Sequence, residues 1–349
     1  MNQELQKRQR PSSRFNFHSA SIGNLFLTGA RFFTGSFESS IYLFHSIASI
    51  PHNIQVIPAI NSNHSHHIAA GLSDGTVIIG QNEISHPSTP ASHLPPDDLS
   101  AFPSPEGSDV GDANSEVGEA EDANLPGSLA TLRSQNIVFS KQHDGNEQLP
   151  ARIERIWYIN LYGEEIRPPA NPKVVASLEM AEAVIYSIGS LYTSLAPCLV
   201  LRGVGRALAD TGRSTPKILL LNGSHDRETG PDHSESTATA FVKAVVRSCA
   251  SSIGKMEESV SWNSIVTHVI YLEGNGAPTV DSVGLKNMGI ECMRVYGRKN
   301  PEGEGRGMLY DPTALTQTLE AILAARTKRT EVRRMTVDAY NPSNAERAR

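Results

Sequence analysis

Two short stretches of this chain gather the side chains and backbone freedom needed to hold an anion. The first is Ile188-Gly189-Ser190-Leu191-Tyr192-Thr193-Ser194, which follows an apolar run at 183–187 and opens a helical pattern near residue 195. Gly189 permits a tight turn and close backbone approach. Ser190, Thr193 and Ser194 supply hydroxyls, while the start of the new helix adds unpaired N–H groups and its positive dipole end. That set suits a phosphate oxygen even without a lysine beside it. The same residues also suit a routine strand-to-helix turn with Ser194 as the cap, and both readings stay open at this level.

The second stretch is Leu221-Asn222-Gly223-Ser224-His225-Asp226-Arg227-Glu228-Thr229-Gly230, beyond the apolar run 218–221. It is long and polar for a strand-to-helix connection, as binding loops often are. Arg227 offers a planar fork to a second phosphate, and Asn222 and Thr229 can hold a base or sugar. The alternative is a solvated loop with Asp226 and Arg227 facing water. A third candidate is Asn24, in Ala20-Ser21-Ile22-Gly23-Asn24. Ser21 is explained as a helix cap, but Asn24 in the first turn is a poor helix former and a good hydrogen-bonding group.

Other features carry less. His64, His66 and His67 lack a spaced partner set for a metal, so no metal ligands are assigned. Gly203-Val204-Gly205 falls within a helical stretch and reads as a packing contact. The acidic run 109–122 reads as a solvated tract, and no GxSxG, GxxxxGK[ST] or HExxH occurs.

The elements that must position these residues follow from periodicity. Helices are expected over 22–33, with Ser21 as cap, and from Ser36 onward to the stop at Pro51. Short strands are expected at 54–57, 67–72 and 76–79, the last two joined through Ser73-Asp74-Gly75 as a hairpin. After Ala151, apolar β-branched runs at 153–161, 183–188, 218–221, 265–272 and 290–295 alternate with helical stretches at 172–180, 195–209, 237–250, 280–288 and 315–325. That alternation predicts an α/β fold: a Rossmann-like, mostly parallel sheet with helices on both faces. The expected organisation is a small helical and β-hairpin part at 18–85, the α/β core at 150–327 and a flexible tail at 328–349. Between them, 86–149 is rich in Pro, Ser, Asp, Glu and Gly, too poor in apolar surface to offset ordering entropy, and reads as a disordered insertion.

The whole chain narrows the function classes. With 31 basic and 37 acidic residues the net charge is −6, and no Lys or Arg occurs between Arg31 and Arg133, so nucleic-acid affinity is not expected. Three separated cysteines, Cys198, Cys249 and Cys292, suit buried thiols in a reducing compartment. The start of the chain lacks an apolar signal region and no apolar run is long enough for a bilayer. The expectation is therefore a cytoplasmic protein without a membrane partner.

The run from Ala183 to Val200, with GSLYTS at its centre, resembles the strand, loop and helix of CofD-like proteins. These comprise the 2-phospho-L-lactate transferases and the gluconeogenesis factors that bind UDP-sugars. Ser21-Ile-Gly-Asn-Leu resembles the family's GN-L helix, Leu72 to Gly80 its strand hairpin, and Asn222 followed by Glu228-Thr229 its Asn…Glu-Thr loop. The resemblance implies a nucleotide diphosphate or nucleotide-sugar cradled by Gly189, Ser190, Thr193 and Ser194 and lined by Asn24 and Asn222. In the transferases it implies magnesium-assisted transfer of a phospholactyl group, so Mg2+ is the cofactor it implies for the complete protein. Family members also carry a GGGT-like loop and an Asp-Asp-Gly-Gly segment near the start, whereas residues 1–17 contain neither Gly nor Asp. The expectation is a chain lacking that first unit. Three functions follow: a transferase of a phospho-hydroxyacid group, a non-catalytic UDP-sugar-binding regulator, or an inactive truncated form. A homodimer is left open.

Overall fold

The computed structural model describes residues 21–62, 66–85, 149–212, 215–231, 233–299 and 307–339. The expected disordered insertion apart from Leu149, the start of the chain through residue 20, His64 and the last ten residues lie outside these.

Helices α1 (Ile22–Thr34) and α2 (Phe37–Ile47) form where their caps predict. The Ser21 hydroxyl accepts from the Asn24 N–H at 3.5 Å, and the Ser36 hydroxyl from the Ser39 N–H at 3.3 Å. The two helices pack on each other, with the Phe26 and Phe44 rings 5.4 Å apart. Ala30 and Ser40 are their only buried residues, and Ile22 and Phe33 remain 85% and 90% exposed. Glu38 and Tyr42 meet Lys173 of the main body. The strand expected at 54–57 does not form; Ile54 and Val56 lie exposed in irregular backbone between Pro51 and Pro58, and among the described residues no strand lies beside them to accept their ladder bonds.

Strands β1 (His67–Leu72) and β2 (Val77–Ile79) make the expected hairpin, with the Asp74 carboxylate accepting from the Thr76 N–H at 2.9 Å. A short helix, α3 (Gln81–Ser85), follows. The run at 153–161 does not begin the alternating series, as its composition predicts. Instead β3 (Ile153–Ile159) pairs antiparallel with β1 along its length, and β4 (Glu165–Ile166) adds to its other edge, giving the order β2-β1-β3-β4. The reason is local: Asn160 closes a tight turn, its side-chain oxygen accepting from the N–H groups of Tyr162 and Glu164. Too few residues remain for the crossover that a parallel neighbour needs.

Helix α4 (Pro172–Glu179) leads into the second sheet: β5 (Val184–Tyr186), β6 (Lys217–Leu220), β7 (His268–Tyr271) and β8 (Glu291–Arg294), paired in that order and all parallel. Side-chain alternation divides its two faces. Leu219, Leu221 and Val269 pack in one core with Val242, Val245 and Val246 of the helix Ala238–Ile253. Ile218, Leu220 and Ile270 pack on the other side with Val295 and Ile322, the latter from the helix Pro312–Ala339. Buried on both sides, β6 is apolar after Lys217, as parallel strands tend to be. Burial at about 25 cal/mol per Å2 of apolar surface is what holds the layers.

The stretch 195–209, expected as one helix, is divided. A π-helical turn (Leu191–Leu195) runs into α5 (Ala196–Leu199), then the chain breaks before α6 (Val204–Asp210). Gly203 has φ 105°, and Arg202 leaves helical geometry to bridge Pro169 in a parallel pair. Gly205 is a packing contact as expected: a Cβ there would lie 2.3 Å from the Cys249 carbonyl oxygen in α7 (Ala238–Ile253). Short helices α8 (Trp262–Ile265) and α9 (Ser282–Asn287) flank β7. Of the thiols expected to be buried, Cys249 is buried, Cys292 is partly so and Cys198 is exposed, because only one side of the short α5 meets the core.

After β8 a hairpin of β9 (Gly297–Lys299) and β10 (Met308–Tyr310) precedes α10 (Pro312–Ala339). That last helix outruns the 315–325 stretch because residues 326–339 include helix formers such as Ala, Arg, Lys and Glu without apolar periodicity. Among the described residues no helix is long and apolar enough to cross a membrane.

Candidate functional site

The two predicted loops lie side by side, because they leave the carboxyl ends of the adjacent strands β5 and β6. That edge of an open parallel sheet is where ligands bind. Gly189 has φ 154°, a conformation unfavourable for residues with a Cβ, which accounts for glycine at this position. Its backbone is held from both sides by one residue of the other loop: the Gly189 N–H donates to the Asn222 Oδ1 at 3.3 Å, and the Asn222 Nδ2 donates to the Gly189 carbonyl at 2.8 Å.

A second tie is electrostatic. Glu228, only 2% exposed, turns its carboxylate into the π-helical turn. It accepts from the Tyr192 N–H at 2.9 Å, from the Thr193 N–H at 3.2 Å, and from the Thr193 hydroxyl. Bonds from such donors to a carboxylate are the stronger kind. Glu228 therefore occupies the inner donors that the sequence pattern offers to a ligand. Ser190 is half-buried and Ser194 exposed at the outer end of the same turn. The N–H groups of Ser190 and Leu191 have no acceptor among the described residues, while the Ser190 carbonyl accepts from the Ser194 and Leu195 amides.

The second loop is more buried than a solvated connection. Asp226 sits within it, its Oδ1 out of contact with solvent. Burial, and then the nearby Glu228 charge, push its carboxyl up to about 6, against opposing bonds from the backbone of Glu228 and Thr229. Thr229 is buried, its hydroxyl donating to the Asp226 carbonyl at 2.6 Å. Arg227 is half-buried and opens a 3-10 turn, Arg227–Thr229. The His225 ring stacks on His233 with centroids 4.6 Å apart, and burial followed by the His233 charge lowers its affinity for a proton. The β9–β10 hairpin closes the far side: the Met308 N–H donates to the Gly223 carbonyl at 2.8 Å, and the Tyr310 hydroxyl lies 2.8 Å from the Leu221 carbonyl.

Of the predicted residues, Gly189 and Asn222 meet directly and Thr193 is bound to Glu228. Ser190 and Ser194 share the first turn, and Arg227 and Thr229 the second loop. Asn24 is exposed on α1, and no hydrogen bond joins its side chain to either loop among the described residues. Sequence reasoning passes over Glu228 and Asp226 as ligand-site elements, although Glu228 belongs to the Asn…Glu-Thr pattern.

Behind the turn a cavity is lined by Tyr192, Glu228, Arg152, Lys243 and Arg247. Two of its cations are already neutralised: Arg152 pairs with Glu235 at 3.0 Å and Arg247 with Glu257 at 2.9 Å. Magnesium needs several oxygen ligands, and among the described residues no three His, Cys, Asp or Glu side chains gather as such a set. Glu228 is committed to the turn, so the described residues do not make a magnesium site.

Comparison with known proteins bears on the family and the fold. Residues 5–295 match the family model described as 2-phospho-L-lactate transferase CofD. The chain is 36% identical over 324 residues to the uncharacterized protein YNL011C of Saccharomyces cerevisiae, covering 87% of this chain and 70% of that one. Protein BH3568 of Bacillus halodurans shares the fold at 17% identity, with a TM-score of 0.53 over 92% of this chain and 78% of its own. A second structure of BH3568, described as a member of the UPF0052 family, gives a TM-score of 0.52 at 17% identity over 87% of this chain and 72% of its own. A CofD family match spanning most of the chain, and a parallel sheet carrying the paired loops, make this protein a member of the CofD family.

Proposed function

We propose that this protein binds a nucleotide diphosphate or its conjugate at the carboxyl edge of the parallel sheet. In this reading it transfers a phospho-hydroxyacid group to an acceptor, as 2-phospho-L-lactate transferases do. The ligand lies across Gly189–Ser194 and Asn222–Thr229. Ser190, Ser194 and the outer amides of the turn take phosphate oxygens, while Arg227, Asn222 and Thr229 serve the second phosphate and the nucleoside. The observation that carries the reading is the reciprocal Asn222–Gly189 bonding, which ties together two loops 33 residues apart in sequence. Such preorganisation lowers the entropy lost when a ligand binds.

The test is titration of the full chain with GDP, UDP and UDP-glucose, followed by thermal melting and by an assay for group transfer, with and without Mg2+. A ligand at a hundred times its Kd stabilises by about 2.7 kcal/mol, which raises the melting temperature by several degrees. Ser190→Trp should abolish that rise while leaving the unliganded melt in place. Binding without turnover would recast the protein as a non-catalytic nucleotide-sugar binder. Absence of stabilisation by every nucleotide tested would end the proposal.

A further inference from the structure

The helix pair α1–α2 turns two chemically different sides to its surroundings. On α2, Glu38 and Tyr42 meet Lys173 of the main body. At about 100° per residue, Ile47 lies on the opposite side of the helix from Glu38, and Leu43 stands one turn before it. On α1, Ile22, Gly29 and Phe33 recur at helical spacing along one side, and the Phe26–Phe44 ring contact at 5.4 Å joins that helix to α2. The apolar side is open to solvent: Phe33 is 90% exposed, Ile22 85%, Ile47 62%, Phe32 41% and Leu43 40%. At about 200 Å2 for a large side chain, these five and Phe44 leave roughly 700 Å2 of apolar surface uncovered, more than monomers ordinarily show in one patch. Gly29 sits in the middle of this face, and a Cβ added there would meet nothing within 4 Å. Glycine inside a helix is less stable than alanine, and no contact among the described residues requires it here.

We propose that this face docks on the same face of a second copy of the chain, the two α1–α2 pairs packing across a twofold axis as four helices. The uncovered surface is close to the about 800 Å2 that each partner contributes to a standard interface. None of its six large side chains is charged, so a symmetric copy meets it with no like charges opposed. A lipid surface calls instead for a basic polar face, whereas α1 and α2 together hold one Arg and no Lys. Gly29 gives the partner's helix room for close approach, because the distance between packed helices is set by the side chains at their contact.

The experiment is analytical ultracentrifugation of the full chain over a dilution series. Wild type should sediment as a dimer that dissociates on dilution. Phe33→Glu puts an unpaired carboxylate from each copy into the contact and should raise the dimer dissociation constant at least about a hundredfold. Because Phe33 is so exposed, this variant should melt like the dissociated wild type, which separates loss of assembly from loss of fold. Gly29→Leu makes the face more apolar but fills the space the partner's helix needs, and should weaken the dimer about tenfold; a tighter dimer would overturn the packing proposed. Val283→Glu, at an exposed apolar position on α9, should leave assembly unchanged. A wild-type chain that is monomeric throughout would overturn the proposal, as would a dimer that survives both Phe33→Glu and Ile47→Glu. So would a monomer that dimerises only once residues 1–20 are removed, which would make that segment the cover, or one that partitions onto phosphatidylcholine vesicles in place of dimerising.

Discussion

The two loops at the carboxyl edge of the parallel sheet solve opposite problems. Gly189–Ser194 exposes backbone donors and hydroxyls and has few side chains with which to fix its own shape. Asn222–Gly230 is longer, carries charged and aromatic side chains, and commits two of its residues to its neighbour: Asn222 to Gly189 and Glu228 to Tyr192 and Thr193. The difference shows that a small-residue binding turn is not rigid by its own composition. Its order comes from an adjacent loop, which in turn is held by the β9–β10 hairpin through Gly223.

That dependence can be broken most severely at its outermost support. A Cβ at residue 223 would lie 1.9 Å from the Met308 carbonyl oxygen, with no flexible side chain to yield. Gly223→Ala should cost about 3 kcal/mol in denaturant unfolding and release both loops from the hairpin. Retention of full stability would mean that the hairpin does not hold the loop.

The second effect is nearly as large and has the opposite sign. Folding raises the Asp226 carboxyl from an ordinary 3.8 to about 6. Its protonated form therefore favours the fold fully below about pH 4, and that contribution disappears as pH rises through about 6. Asp226→Asn should match wild type near pH 4 and exceed it by up to about 3 kcal/mol at pH 8, because each tenfold change in proton affinity on folding is worth about 1.4 kcal/mol. Parallel stability curves for the two proteins across that range would show that Asp226 is not buried as described.

Thr193→Val tests the electrostatic tie alone. It keeps the shape, removes the hydroxyl donor and leaves part of the Glu228 carboxylate unpaired, which should cost about 2 kcal/mol. Asn222→Ala tests the other tie. At a half-exposed position it should cost about 1 kcal/mol in stability, but its larger effect should be on nucleotide affinity, since the turn would lose its order. Equal losses of stability and affinity would reduce Asn222 to ordinary packing.

Much of the parallel sheet is legible in the chain. The apolar runs at 183–188, 218–221, 265–272 and 290–295 each overlap one of its strands, because a strand buried on both faces needs no polar alternation. The run at 153–161 is also rich in Ile and aromatic residues and goes elsewhere, since apolar content marks a strand but not its partner. Gly203 reads as a helix interior and is a break, because its positive φ depends on Arg202 pairing with Pro169, a contact no local window contains. In the site, Gly189, Ser190 and Asn222 can be named from position at strand ends. Asp226 reads as solvated because the burial around it comes from other parts of the fold.

The sequence by itself determined where the capped helices α1 and α2 start, which runs become the strands of the parallel sheet, and that two polar loops follow consecutive strands, since these depend on caps, periodicity and turn residues a few positions apart. Only the tertiary structure decided which donors of the turn remain available to a ligand. The Glu228 carboxylate comes from 35 residues away to take the Thr193 amide. Once buried there, it stays because withdrawing it would leave a charge and its partners unpaired in a medium that solvates them poorly.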